Sequence, residues 1–514
     1  MVTRINSQQA AIQATRKAAR AVRKNVKDAV SGTLGLSGER MSKVDTAWLR
    51  MDSDTNLMMI VGVWILKPGI SYPALCERVQ ERLLKYPRFG QRVELDAAGA
   101  TWVNHADFDI TEQVVIEQLP KGARGQAQQA LQDRVAELAV TPLDKNRPLW
   151  QFHLIEDYQG GSAMLVRIHH CIADGIALIS VTQSLVDGGT EPPARRARAA
   201  RREGLEGAQD WLQGSLLNPL TKLLGKAIGA ASDGAARSMS FLSDPQKGVE
   251  QGLGSTVDLA KLAYQVASDT AALVLMVDDS PTRLKGKPGM RKRVAWCQPI
   301  PLEEIRAVSK ALNCSINDVL MSCVAGAIAQ YLLAHGDDVT GKEIRAMVPV
   351  NLRPVDQAYK LGNQFGLAPI VLPIGIENPI ERVYEVRRRM SALKGSMQPL
   401  LAFGMLALAG LLIKPAQDAM LNLFSKKTTA VMTNVPGPRE KLKLCGSTLE
   451  QSLFWVPQSG TVGLGVSILS YGGGVQFGVI ADAKLCPDPQ AIIDGFEPEF
   501  AKLSIVTLML PWGE

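Results

Sequence analysis

The chain has 514 residues, of which 46% are hydrophobic and 21% charged, and this balance excludes a wholly disordered or collagen-like protein. The formal net charge of +7 comes from two short segments, 1–27 and 194–202, which together hold 12 basic residues and no acidic residue, so the rest of the chain is mildly acidic. A broad basic face of the kind that binds nucleic acid is therefore not expected.

Residues 1–40 are predicted to form a basic extension. Its composition favours a helix with a thin apolar stripe and a face of Lys and Arg. Two interpretations stay open: a solvated tail, or an arm that binds anionic lipid.

Apolar segments then alternate with amphipathic ones, which predicts an N-terminal α/β domain over 41–187. Its predicted strands are 57–66, 149–155 and 163–170, and its predicted helices are 72–86, 127–138 and 176–186. Residues 188–290 are rich in Gly, Ala and Ser, and they predict a linker with crossing helices at 208–224 and 256–276.

The alternation resumes over 291–514, which predicts a C-terminal domain of the same rhythm. Its predicted helices are 302–312 and 316–334, and its predicted strands are 293–300, 344–349, 367–373, 428–435, 461–470 and 475–481. The last two strands are joined by a Gly-rich turn, which is typical of a hairpin.

Seven scattered cysteines without a CxxC pair indicate reduced thiols in a cytoplasmic protein, with neither a disulfide framework nor a zinc site. The N-terminus lacks the apolar stretch of a secretory signal, and no window reaches the ~18–20 apolar residues of a spanning helix. The nearest candidate, 399–413, has two interpretations: a helix buried in the core, or an apolar patch on a lipid surface.

Two of the five histidines are adjacent, in Val166-Arg-Ile-His169-His170-Cys-Ile-Ala-Asp174-Gly175. Because side chains alternate along a strand, His169 and His170 point opposite ways, so only one can face a given cleft. Gly175 allows a positive φ in the turn. Three interpretations compete: a buried hydrogen-bonded pair, a metal site and a general base. Diverging rings and the lack of a third ligand cluster disfavour a metal, and the HHxxxDG spacing at a strand end favours the base.

The four residues His169, His170, Asp174 and Gly175 resemble the HHxxxDG signature of the CoA-dependent acyltransferase superfamily. Further segments resemble the bacterial wax ester synthase/acyl-CoA:diacylglycerol acyltransferase family, in that family's order. These are Met41-Ser-Lys-Val-Asp45-Thr-Ala-Trp48, Pro148-Leu149-Trp150, Asn317-Asp318, Val348-Pro-Val-Asn351-Leu-Arg353-Pro, Gly362-Asn363-Gln-Phe-Gly366 and Thr433-Asn434-Val-Pro-Gly437-Pro438. The basic extension and the long linker depart from the usual pattern.

The resemblance implies two chloramphenicol-acetyltransferase-like domains with mixed sheets, joined by a helical crossover linker, and an α/β (α+β) fold class. It implies an active site in a channel between them, with His170 as the general base and His169 in support. Asp174 is expected to be structural, with Arg353 as its candidate partner. For Asn317 and Asp318, helix capping and a catalytic role both stay open.

We therefore expect an acyl-CoA-dependent O-acyltransferase that esterifies long-chain fatty alcohols, diacylglycerol or both. The alternatives are a non-catalytic lipid-binding protein of the same fold and a condensation enzyme that uses carrier-protein thioesters. Acyl-CoA is expected as co-substrate, with no other cofactor, no metal and no nucleic-acid partner. We expect a cytoplasmic protein that associates peripherally with the inner membrane or with lipid inclusions. Its preferred acceptor, chain length and oligomeric state stay open.

Overall fold

The computed structural model describes residues 38–96, 99–120, 126–190, 276–353, 361–394, 398–412 and 414–509, together with 268 and 396. The two basic segments, and the predicted linker helices apart from 268 and 276, lie outside these described residues.

The first half of the chain alternates strands with helices, as its hydrophobic pattern predicts. The elements are β1 (Glu39–Arg40), α1 (Lys43–Arg50), β2 (Met59–Lys67), α2 (Tyr72–Glu81), β3 (Gln91–Asp96), β4 (Gly99–Asn104), α3 (Ile110–Gln113), β5 (Val114–Glu117), α4 (Ala127–Ala139), β6 (Trp150–Tyr158), β7 (Gly161–His169) and α5 (Gly175–Leu185). The helix predicted at 72–86 is shorter because Glu81 is followed by the 3₁₀ turns Leu83–Lys85 and Pro87–Gly90.

The second half repeats this alternation. The elements are β8 (Lys292–Trp296), β9 (Ile300–Pro301), α6 (Leu302–Ala311), α7 (Ile316–Ala334), β10 (Ile344–Asn351), β11 (Phe365–Leu372), α8 (Pro379–Lys394), α9 (Gln398–Ala409), α10 (Lys414–Ser425), β12 (Ala430–Pro436), β13 (Lys443–Leu444), β14 (Ser447–Trp455), β15 (Leu464–Tyr471), β16 (Gly474–Asp482) and α11 (Gln490–Met509). The predicted hairpin is confirmed: Gly472 and Gly473, both at positive φ, join β15 to β16 in a two-residue turn.

Two mixed sheets carry the two domains, which confirms the predicted fold class. The N-terminal sheet has the order β13-β14-β2-β7-β6-β5, and the C-terminal sheet has the order β11-β10-β12-β15-β16-β8, with β9 beside β16. A small third sheet, β1-β4-β3, flanks the N-terminal domain.

The hairpin β13–β14 crosses from one domain to the other. Strand β14 pairs antiparallel with β2, from Thr448 opposite Lys67 to Trp455 opposite Val61. The sequence-based division assigns 443–455 to the C-terminal domain, whereas the structure places both strands in the N-terminal sheet. Strand β2 is buried along all but its last residue, so without β14 it would be an apolar open edge.

The prediction that no segment is apolar enough to span a membrane is wrong for α7, which passes by length and composition, but most of α7 is buried in the C-terminal core. Helix α9, which covers most of the apolar segment 399–413, packs on β11 and α1, and Leu401 and Ala409 are fully buried. Of this segment's described side chains, Leu411 is the large apolar one that stands exposed. The buried-helix interpretation therefore fits α9 better than the lipid-patch interpretation.

Candidate active site

The two adjacent histidines lie where the fully buried strand β7 ends, and their rings point to different sides. The His169 ring lies 3.3 Å from Asp52, from Nε2 to Oδ1, and its Nδ1 accepts the Cys171 backbone N–H. The His170 ring lines a cavity between the two domains, whereas His169 does not. The prediction that only one of the pair faces the cleft is confirmed.

The His170 ring is enclosed by aromatic side chains and fixed by one hydrogen bond. Trp48 of α1 stacks on it with ring centroids 4.3 Å apart, and Phe365 of β11 lies 5.4 Å away. Its Nδ1 is 2.8 Å from Asn363 Oδ1. Burial lowers the pKa of His170 to about 4, against the opposing effect of Asp174. The imidazole is therefore uncharged at neutral pH.

Asp174 joins the histidine turn to the other half of the chain. Its carboxylate accepts two hydrogen bonds from the Arg353 guanidinium, at 3.0 and 2.8 Å, so the predicted partnership with Arg353 is confirmed. It also accepts the backbone N–H groups of Ala177 and Gln364, both at 2.9 Å. Asp174 thus caps α5 and holds the segment that carries Asn363 against the turn.

The expectation that Gly175 supplies a positive φ is wrong. Gly175 is the first residue of α5, and it is not among the glycines with positive φ. The preceding Asp174 has extended backbone, with φ −83° and ψ 173°, and its side chain forms the cap that starts the helix. The positive φ of this region occurs instead at Gly362, with φ 109°.

Asn317 and Asp318 lie outside the cavity lining. Asp318 completes a capping box with Ser315, whose backbone N–H it accepts at 2.9 Å, so capping accounts for this residue. The Asn317 Oδ1 accepts a hydrogen bond of 2.7 Å from Asn434 Nδ2, and Asn434 belongs to the cavity lining. Asn317 therefore reaches the cavity only through Asn434.

The cavity has a volume of about 390 Å³ and a mainly apolar lining. It follows the face of the C-terminal sheet along β12 and β15, and α5 and β14 close it from the N-terminal side. Strand alternation turns Val431 and Val435 toward it, while Met432 belongs to the C-terminal core. The seven residues of β12 span about 23 Å, so the lining is long enough for an extended long-chain hydrocarbon.

Comparison with known proteins identifies the family. Residues 41–320 match the wax ester synthase/diacylglycerol acyltransferase catalytic domain, and residues 361–504 match the C-terminal domain of the same family. The chain belongs to the wax ester synthase/diacylglycerol acyltransferase family. It is an acyltransferase, as the sequence predicts, and neither alternative class is favoured.

Relatives of this acyltransferase family match nearly the whole chain. Two Mycobacterium tuberculosis proteins named as probable diacylglycerol O-acyltransferases, tgs1 and tgs2, are each 25% identical to it. The matches cover 91% and 89% of this chain and 96% and 97% of the relatives.

Solved structures share the fold. The wax ester synthase/diacylglycerol acyltransferase from Marinobacter aquaeolei VT8 superposes with a TM-score of 0.61 at 21% identity, and covers 91% of this chain and 99% of its own. The first condensation domain of the calcium-dependent antibiotic synthetase gives 0.57 at 12% identity, and covers 92% and 96%.

Sequence reasoning missed the functional surroundings of His170 in this acyltransferase. Trp48 and Asn363 occur in the segments that carry the family resemblance, as does Asp45, which bonds Asn363, but their contacts with the histidine site were not predicted. The signal that could have found them was the presence of a polar or aromatic residue inside each such segment. Their distance along the chain hid the contact, since Asn363 is 193 residues from His170.

Proposed function

We propose that the protein transfers the acyl group of a long-chain acyl-CoA to the hydroxyl of a fatty alcohol or diacylglycerol, with His170 as the general base. The observation that carries this proposal is an uncharged imidazole on the wall of a long apolar cavity between two domains. A neutral imidazole can accept a hydroxyl proton, and an apolar cavity suits acyl and alkyl chains.

In the proposed reaction, His170 Nε2 takes the proton as the alcohol oxygen attacks the thioester carbonyl. The tetrahedral oxyanion then collapses, the C–S bond breaks, and the CoA thiolate takes up the proton from the imidazolium. The products are an ester and free CoA. General-base assistance of this kind contributes about 10²–10⁴-fold to the rate.

The other site residues have supporting roles in this proposal. Asp174 and Arg353 hold the turn that carries His170, and His169 keeps the strand end in place through Asp52. Gly175 borders the cavity at the start of α5. Asp318 acts through the cap of α7, and the bond from Asn434 to Asn317 supports the cavity wall. The reaction as written needs no metal and no cofactor besides acyl-CoA.

We also propose that the enzyme works in the cytoplasm at a lipid surface, on the inner membrane or on lipid inclusions. Both substrates are amphiphilic or insoluble, and a cluster of Lys and Arg contributes about 1 kcal/mol per residue to binding of anionic lipid. The segment 1–27 has such a cluster. Co-sedimentation of the full chain and of a chain lacking residues 1–40 with anionic liposomes tests this. Equal binding of both at low salt would assign the contact to another surface.

The proposed activity is tested by supplying palmitoyl-CoA together with hexadecanol or diolein and following CoA release and ester formation. We expect CoA release that depends on an acceptor and is lost in His170→Ala. The absence of CoA release with either acceptor would reject the proposal. Ester formation at an unchanged rate in His170→Ala would reject His170 as the base.

A further inference from the structure

The hydrogen bonds around Asn363 determine which nitrogen of His170 carries the proton. The Asn363 amide nitrogen donates two hydrogen bonds, to Asp45 Oδ1 at 2.7 Å and to the His170 carbonyl oxygen at 2.7 Å. Both amide hydrogens are therefore used. The remaining amide atom, Oδ1, lies 2.8 Å from His170 Nδ1 and can only accept a hydrogen bond.

The opposite orientation of the Asn363 amide is unfavourable. It would turn the amide oxygen toward the Asp45 carboxylate and the His170 carbonyl, so acceptors would face acceptors. Asp45 is 1% exposed, and its Oδ1 also accepts the Asn363 backbone N–H at 3.0 Å. Its Oδ2 accepts from the Arg88 guanidinium at 3.3 Å, which keeps the carboxylate as an acceptor. Burial raises the pKa of the Asp45 carboxyl, but its Oδ1 accepts both Asn363 donors in either protonation state, so Asp45 fixes the amide.

From this geometry we infer that Asp45 and Asn363 are positioning residues that hold His170 as the Nδ1–H tautomer and leave Nε2 free to take the substrate proton. The inference rests on the proposed function of His170 as the base. Neither Asp45 nor Asn363 lines the cavity, so both act through the histidine. His170 and Asp45 come from the N-terminal half and Asn363 from the C-terminal half, so the base is complete only when both halves are docked.

Exchange of the two polar groups provides a sharp test. In Asp45→Asn, Arg88 attracts the oxygen of the new amide, so the NH₂ group at position 45 faces Asn363. The Asn363 amide then rotates, and its NH₂ group faces His170 Nδ1. That orientation favours the Nε2–H tautomer of His170. In Asn363→Asp, two carboxylates meet in a buried space. The double variant Asp45→Asn/Asn363→Asp again presents an acceptor to Nδ1 and a donor to residue 363, but it loses the hydrogen bond that Asn363 donates to the His170 carbonyl.

We expect each single variant to lose about 10²–10⁴-fold in kcat, the range of general-base assistance, and the double variant to recover at least tenfold over either. The double variant also places a carboxylate beside His170, so the acidic limb of its pH profile should move to higher pH than in the wild type. The other charged groups near this ring, Asp174, His169 and Arg353, are unchanged. No recovery and no shift in a folded double variant would overturn the inference.

The tautomer can also be read without any activity measurement. With only five histidines, selective ¹⁵N-histidine labelling of the wild-type protein gives few signals, and His170→Ala identifies the one that matters. We expect the pattern of a neutral ring protonated at Nδ1. A ring protonated at Nε2 would overturn the inference even if every variant failed to fold. It would leave the acyl-transfer activity itself standing, whereas a fully active His170→Ala would reject His170 as the base whichever tautomer is found.

Glu117→Gln is the matched control. Glu117 Oε1 lies 2.7 Å from His153 Nδ1, and this partly buried histidine–carboxylate pair does not belong to the cavity lining. We expect the pH profile of acyl transfer to be the same in Glu117→Gln and the wild type. A shift equal to that of the double variant would mean that the profile reports a general loss of buried charge, which would overturn the inference.

Discussion

Asp174 and Arg353, 179 positions apart in sequence, form a buried ion pair with two hydrogen bonds at the junction of the two domains. Both side chains are almost fully buried. The Arg353 guanidinium also donates to the Gly362 carbonyl at 2.7 Å, so the pair ties the histidine turn to the chain segment that precedes Asn363. The geometry of the HHxxxDG turn therefore depends on a residue of the other half.

Asp174→Asn should destabilise the fold. The substitution leaves Arg353 as a buried charge without its counter-ion, and breaking a buried pair in this way costs about 3–5 kcal/mol. Denaturant unfolding gives this difference directly. Asp96→Asn, which breaks the exposed Arg40–Asp96 pair, serves as a control with little expected effect. If Asp174→Asn kept full stability and activity, the structural role of Asp174 would be wrong.

The pH dependence of acyl transfer should reflect the buried, uncharged state of His170. Because burial lowers its pKa to about 4, the ring keeps its lone pair well below the ordinary pKa of 6.5. We expect kcat/KM to fall only near pH 4, provided that near-ultraviolet circular dichroism shows the fold intact. Trp48→Ala exposes the ring and should move this acidic limb of the pH profile to higher pH, whereas Trp48→Phe should leave it in place. An inflection near pH 6.5 in the wild type would contradict the account.

The lowered pKa of His170 also predicts how the free energy of unfolding varies with pH. The folded-state pKa of His170 lies below that of the unfolded chain, so the unfolded state binds the proton first as the pH falls. This histidine therefore contributes a loss of stability between about pH 6.5 and pH 4, and no change above that range. Urea unfolding of the wild type and His170→Gln across this range measures the contribution. An identical pH slope in both proteins would be inconsistent with the buried neutral ring.

Gly175→Ala should fold normally. Gly175 starts α5 without a positive φ, and a Cβ added there would have no heavy atom within 4 Å. Replacement of a glycine in an accessible helical conformation stabilises a protein by about 0.4–1 kcal/mol. Thermal or urea unfolding should show equal or higher stability. A large destabilisation would mean that the glycine is needed for the turn after all.

Val431→Trp should shorten the cavity. Val431 lies on the cavity side of β12, and an indole at this position would block part of the hydrocarbon path. Rates measured with acyl-CoA and alcohol series of increasing length should fall selectively for the longest members of one series. Ser467→Ala, on the neighbouring strand of the same wall, is the control and should keep the wild-type preference. Unchanged preferences in both series would show that this part of the cavity holds no chain.

Elements with a clear local hydrophobic periodicity, such as β2 and β7, could be predicted, whereas β3, α8 and α11 were not among the predicted elements. The crossing of β14 to the N-terminal sheet could not be predicted, because strand pairing across the chain leaves no local trace. The pairing of Asp174 with Arg353 followed from charge and family resemblance. The assembly of Asp45, Asn363 and His170 needs three distant segments to meet, and only the folded chain brings them together.

The central claim is that His170 takes the proton from the acceptor hydroxyl, and ester formation under saturating palmitoyl-CoA and hexadecanol at pH 7 tests it most directly. His170→Ala should lower kcat by about 10²–10⁴-fold with little change in KM for acyl-CoA. His153→Ala, which removes a buried histidine outside the cavity, should keep the wild-type kcat if it folds. Ester formation by His170→Ala at the wild-type rate would contradict the account.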